Sequence, residues 1–155
     1  MNNIVFEYAT LLLNRRGYKT KKNNNNLYGI NADGKEIICY FVENAKVTID
    51  VIKTILSTSK IKHILIIYSK SLTPDAKQAI SLNKIFLFEI FSYDELSYDP
   101  ISIVPKHTKI NKKPKEWHKF PIILNTDIIA RYYGFQRGDV IAIDEENGLN
   151  YRKCM

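Results

Sequence analysis

The chain of 155 residues carries 23 lysines and arginines against 16 acidic residues, a formal net charge of +7, and 45% of it is hydrophobic. That length allows one domain or two small ones with a real core, and the positive balance suits a nucleic acid or an acidic partner. No run reaches the roughly 18 apolar residues of a membrane span, no basic start precedes the first apolar run, so no signal peptide is expected, and Cys39 and Cys154 read as buried thiols rather than a disulfide.

In chain order, Asn2 or Asn3 can cap a first helix whose apolar stripe is Ile4, Val5, Tyr8, Leu11 and Leu12. Arg15 and Arg16 suit its C-terminal end and Gly17 stops it. Residues 19–26, polar and rich in Lys and Asn, are expected to form a mobile loop. Residues 27–30 and 35–42 read as strands, with Asp33-Gly34 as the hairpin turn between them. A helix over 47–57 follows, with Val47, Val51 and Ile55 on one side and Ile52 and Leu56 beside them. Residues 61–68 are almost continuously apolar and β-branched, the mark of a strand covered on both faces. Thr73-Pro74 is an N-cap followed by proline at the first helical position, and that helix runs to about Leu82. Residues 85–91 are a second buried strand, parallel to the first across the helix, and Asp94-Glu95-Leu96 begins a short helical turn.

The order α-β-β-α-β-α-β predicts an α/β layer structure with a mixed sheet over residues 1–100. Residues 101–155 form a second unit. Its stretch 106–119, rich in lysine and containing Pro114, reads as a linker. An apolar run then leads to Thr126 as helix N-cap, with about two helical turns over 128–133 and Gly134 at the left-handed stop. A tight turn through Arg137-Gly138-Asp139, a strand over 140–143, an Asn147-Gly148 hairpin and a return strand over 149–154 complete a small α+β domain closed by a hairpin.

Several pieces lie in the order of one family. Ala130-Arg131-Tyr132-Tyr133-Gly134, Arg137-Gly138-Asp139-Val140-Ile141 and Tyr151-Arg152 resemble the C-terminal domain of the fifth shared subunit of eukaryotic RNA polymerases, whose archaeal H-subunit counterpart is that domain alone. Upstream, Val104-Pro105-Lys106-His107, Leu72-Thr73-Pro74-Asp75-Ala76 and Arg16-Gly17-Tyr18 resemble further motifs of the family, so the likeness spans nearly the whole chain. It implies a restriction-endonuclease-like jaw domain at the N-terminus and a polymerase-assembly domain at the C-terminus. It also implies a non-catalytic role without cofactors. The expected partners are the largest polymerase subunit with the rest of the core, and downstream double-stranded DNA. Neither a membrane nor a homo-oligomer is implied, and the setting is intracellular: the nucleus, or virion and host cytoplasm for a virus-encoded version.

The resemblance places Thr73, Pro74, Asp75 and Ala76 near downstream DNA, with Lys70 and Lys77 flanking them as counter-charges for phosphate. A helix N-terminus favours anions there, although the Asp75 carboxylate competes for the same dipole. It places Arg131, Tyr132, Tyr133 and Arg137 at the subunit interface, and these are residue types that anchor interfaces. One of the two tyrosines is expected in the core. Asp33-Gly34-Lys35 carries the letters of an acid-x-Lys nuclease pair, but the hairpin turn explains it and Glu7 is the only upstream acid, so no catalytic or metal-binding residue is expected. His63 reads as structural, His107 and His118 as solvated, and Trp117 as an anchor of the lysine-rich stretch.

The chain departs from the family where it is short. The charged helix before Phe120-Pro121 is reduced to a Lys/Pro stretch, Phe120-Pro121-Ile122-Ile123 lacks the family's arginine, Asp127-Ile128 replaces an Asp-Pro, and residues 145–148 replace a longer loop. A compact, virus- or plasmid-encoded version fits these changes. An alternative comes from residues 134–140, which also resemble the swapped-hairpin dimers of small bacterial repressors, transcription regulators that bind DNA unaided.

Overall fold

The computed structural model describes residues 2–155. The chain divides into two units, Met1–Tyr98 and Asp99–Met155, each built on its own sheet. Among the described residues there are four α-helices and two mixed sheets of five and four strands, an α/β protein. None of the helices is long and apolar enough to cross a membrane.

Helix α1 (Asn3–Arg15) starts where Asn2 Oδ1 accepts the amides of Ile4 and Val5, and it stops at Gly17, whose φ of 86° few other residues tolerate. Its buried face is Val5, Ala9, Leu12 and Leu13, while Ile4 is 55% exposed. The apolar line is therefore centred one residue later than the predicted stripe, through the small Ala9.

The stretch 19–26 is no loop. It forms β1 (Lys19–Asn23), a two-residue turn, and the start of β2 (Asn26–Ile30), paired antiparallel from Lys19↔Ile30 to Asn23↔Asn26. Asn24 takes φ 53° at the tip, which asparagine tolerates better than most residues. Then come β3 (Glu36–Val42), α2 (Ile49–Thr58), β4 (His63–Tyr68), α3 (Pro74–Leu82) and β5 (Leu87–Ser92). The sheet runs β1-β2-β3-β4-β5, antiparallel up to β3 and parallel beyond it. The apolar run in β4 is covered on both faces, with Ile64, Leu65, Ile66 and Ile67 all fully buried. Ile64 and Ile66 pack with Val47, Ile52, Ile55 and Ala76 from the α2 and α3 side.

In the second unit, β6 (Lys106–Ile110) takes up the start of the stretch read as linker. It pairs antiparallel with β8 (Val140–Glu145), from Lys106↔Asp144 to Ile110↔Val140. A 3₁₀ turn (Trp117–Lys119), β7 (Ile122–Ile123), α4 (Ile128–Tyr133) and β9 (Gly148–Cys154) complete the order β6-β8-β9-β7. The N-cap of α4 is Asp127, not Thr126: the Asp127 carboxylate accepts the Ile129 amide at 2.8 Å. Gly134 ends α4 at φ 73°, the left-handed stop its sequence predicts. The β8–β9 hairpin turns through Glu146 and Asn147, and Gly148, at φ 116°, opens the return strand. Ala130, Phe135, Ile141, Ile143 and Cys154 form the core on the α4 side.

Candidate functional site

The loop leading into α3 is laced to the loop after β3. Ser69 donates to Val42 O (3.1 Å), Val47 to Ser71 O (2.8 Å) and Thr73 to Val47 O (3.0 Å), and Val47↔Leu72 forms an isolated parallel bridge. Thr73 Oγ1 then accepts the Ala76 amide at 3.3 Å as N-cap, and Pro74 occupies the first turn. This arrangement sorts the predicted residues. Ala76 is fully buried in the core, so its side chain cannot face a ligand. The Thr73 hydroxyl is committed to the cap. Lys70, Pro74, Asp75 and Lys77 are exposed. The helix start thus presents two lysines and one carboxylate, a surface that attracts phosphate only through its lysines.

The four predicted interface residues also separate. Tyr132 is 1% exposed, a core residue that cannot reach a partner, because α4 turns it inward together with Ile129 and Ala130. Tyr133 is half-buried and stacks on Phe135 with centroids 5.2 Å apart. Arg131 is half-exposed on α4 and Arg137 is exposed in the following turn. In that turn the Asp139 carboxylate is held by Lys109 at 2.8 Å and by the Gln136 amide at 2.8 Å, so the Arg137-Gly138-Asp139 tripeptide is a structural turn. Trp117 stacks under the Lys113 ammonium (4.3 Å to the ring centroid). Lys153 Nζ donates to His118 O, and Phe120 stacks on Tyr151 at 5.4 Å; these contacts fasten the lysine-rich stretch to β9.

The second sheet has another face. Ile123 and Cys154 belong to the α4-side core, and Ile122 pairs with Lys153. Alternation therefore puts Ile122, Leu149, Tyr151 and Lys153 on the opposite side, with Leu124 and Met155 continuing their rows. Ile122, Leu124, Leu149 and Met155 are 54%, 59%, 56% and 42% exposed. Four exposed apolar side chains on one side of so small a unit, with Lys153 among them, suit a contact region. In the sequence Ile122 and Leu124 are simply part of the apolar run that leads to Thr126, which does not show the side they take.

No protein family model matches the chain, and no curated protein matches it.

Asp33 and Gly34 lie in the β2–β3 turn, closed by Gly34 donating to Asn31 O at 3.0 Å. Among the described residues no group of three or more His, Cys, Asp or Glu could hold a metal ion. The sequence reading did miss a buried ion network. Arg16 clamps Glu89 of β5 with two bonds, Nη1–Oε2 at 2.8 Å and Nη2–Oε1 at 2.9 Å, and His63 Nε2 lies 2.6 Å from Oε2. Burial alone would raise the Glu89 pKa. The His63 hydrogen bond and the Arg16 charge outweigh it and lower the carboxyl to about 2. A glutamate within the apolar run Leu87-Phe88-Glu89-Ile90-Phe91 was the one available signal. Burial also pushes the Cys39 thiol well up, so it stays an inert thiol in the core.

Proposed function

We propose that the chain is a non-catalytic subunit of a multisubunit DNA-directed RNA polymerase. Its second unit docks on the largest subunit, and its first unit serves as a jaw that helps guide downstream double-stranded DNA. The motifs from Arg16-Gly17-Tyr18 to Tyr151-Arg152 support this reading by their order. The observation that carries it is the apolar outer face of the second sheet, with Ile122, Leu124, Leu149 and Met155 exposed beside the Phe120–Tyr151 stack. A face of that kind is stable in water only at a cost, and burial against a permanent partner recovers it. Arg131, Tyr133 and Arg137 add polar anchors on the α4 side. The strand order of the first unit suits a restriction-endonuclease-like jaw whose Lys70 and Lys77 meet phosphates. No cofactor is needed, since nucleotide transfer belongs to other chains. The protein then works inside the cell, in the nucleus, or in virion and host cytoplasm if a virus encodes it.

The test is a pull-down from the native source with tagged wild type and with Leu124→Glu/Leu149→Lys. Wild type should bring down two very large polymerase subunits, and the variant should fold but lose them. A tight homodimer binding one DNA sequence, with no large partner, would overturn the proposal in favour of a swapped-hairpin transcription regulator.

A further inference from the structure

His63, held by Glu89, lines an open cleft of about 380 Å³ in the first unit. Its walls come from three separate segments: Tyr18 after α1, Lys35 and Glu36 at the start of β3, and Lys60 and Lys62 between α2 and β4. Each segment is fixed through its backbone. Tyr18 donates to Leu13 O (3.0 Å), Lys35 to Asn31 Oδ1 (2.8 Å), and Lys62 O accepts the Leu87 amide (2.8 Å). Ser59 Oγ bonds both the amide (3.2 Å) and the carbonyl (2.9 Å) of Ile61, which stiffens the connection between the two lysines. The backbone at these positions is thus held, and among the described residues no carboxylate pairs with Lys35, Lys60 or Lys62.

The acidic groups nearby are already engaged. Glu36, also in the lining, accepts the Tyr28 hydroxyl at 2.5 Å and sets one carboxylate against the three lysines. Glu89 has both oxygens taken, and Arg16 balances its charge, so it repels an incoming anion little. Nε2 of His63 donates to Glu89, which fixes the ring and leaves Nδ1 of the neutral imidazole an acceptor, so His63 adds no donor to the cleft. Three lysines lining one open cleft match an anion with several acceptor oxygens.

We propose that this cleft binds a phosphate group, gripped by Lys35, Lys60 and Lys62. The phosphate is either free phosphate or part of a nucleic-acid backbone. The site lies apart from the α3 start and does not rest on the polymerase reading.

Amide NMR of the full chain tests it, with sodium phosphate titrated against sodium chloride at matched ionic strength. Saturable shifts at Tyr18, Lys35 and Lys60–His63 are expected. They should need about tenfold more phosphate in Lys60→Ala/Lys62→Ala, the loss of one to two charge-assisted contacts. Lys35→Ala, on a different segment, should weaken binding independently, and melting temperatures should match wild type because all three lysines are exposed. A second arm uses a DNA duplex without terminal phosphates. The same amides moving with the duplex identifies a backbone phosphate, whereas a response to inorganic phosphate alone identifies the free anion. Shifts reproduced by sodium chloride, shifts spread equally over Lys19–Lys22, or unchanged binding in both variants would overturn the proposal.

Discussion

Glu89→Gln tests the network that ties the end of α1 to β4 and β5. The substitution keeps shape and volume but removes the charge that Arg16 and His63 hold, and the Arg16 side chain is only 8% exposed. The Glu89 pKa falls from 4.5 to about 2 on folding. Such a depressed carboxylate stabilises the fold fully above pH 4.5, and that contribution fades as pH drops through 4.5 towards 2. Two and a half pH units correspond to about 3 kcal/mol. Removing one charge from a buried ion pair gives the same range, roughly 3–5 kcal/mol. Urea unfolding at pH 7, followed by fluorescence and circular dichroism, should therefore show the variant's midpoint well below wild type. Its melting temperature should drop by on the order of 10–20 °C for a unit of this size. Between pH 4.5 and 2 the two curves should converge. Equal midpoints at pH 7, or a gap that persists undiminished at pH 2, would refute the reasoning, because the stabilisation would then not come from the ionised carboxylate.

Gly134→Val places a β-branched residue at φ 73° and should cost the second unit at least about 1–2 kcal/mol, read as a lower melting temperature with unchanged helix content. Tyr132→Ala should cost about 3–5 kcal/mol, since its ring is fully buried; a loss below about 1 kcal/mol by urea denaturation would show that the side chain does not hold the core. Limited proteolysis should spare the strands β1 and β6 and cut first in residues 111–116, which lie between β6 and the 3₁₀ turn; early cuts within Lys19–Asn23 would contradict the five-stranded sheet. Replacing both Lys70 and Lys77 with alanine should weaken DNA binding uniformly across sequences and flatten its salt dependence by about two units of slope.

Much of the layout could be read from local chemistry. Thr73-Pro74, the β4 run and Gly134 each carry a mechanism within a few residues, and each holds in the structure. The failures share a cause. β1 and β6 expose most of their side chains, so neither shows the apolar alternation that marks a half-buried strand, and lysine and asparagine have weak strand preference. Only their neighbours, β2 and β8, make them strands. Lysines on an exposed edge also discourage pairing with a second chain, so the composition that hid β1 has a structural use. Thr126 and Asp127 are both good caps, and local chemistry favoured the wrong one of two neighbours. The Arg16–Glu89 pair joins residues 73 positions apart, beyond any local pattern. The outer apolar face depended on which way β7 turns its side chains, and that follows from its register with β9.

The lacing between Val42, Val47 and the loop after β4 has one more consequence. Its bonds run from main chain to main chain, so they do not depend on which side chains the loop carries. Lys70, Asp75 and Lys77 sit on a platform whose position is set without them. Their charges can therefore change, by drift or by design, while the loop stays in place. An acidic residue such as Asp75 can thus appear at the helix start and alter what the surface attracts without disturbing how it folds. The region works as an adjustable charge display on a fixed mount.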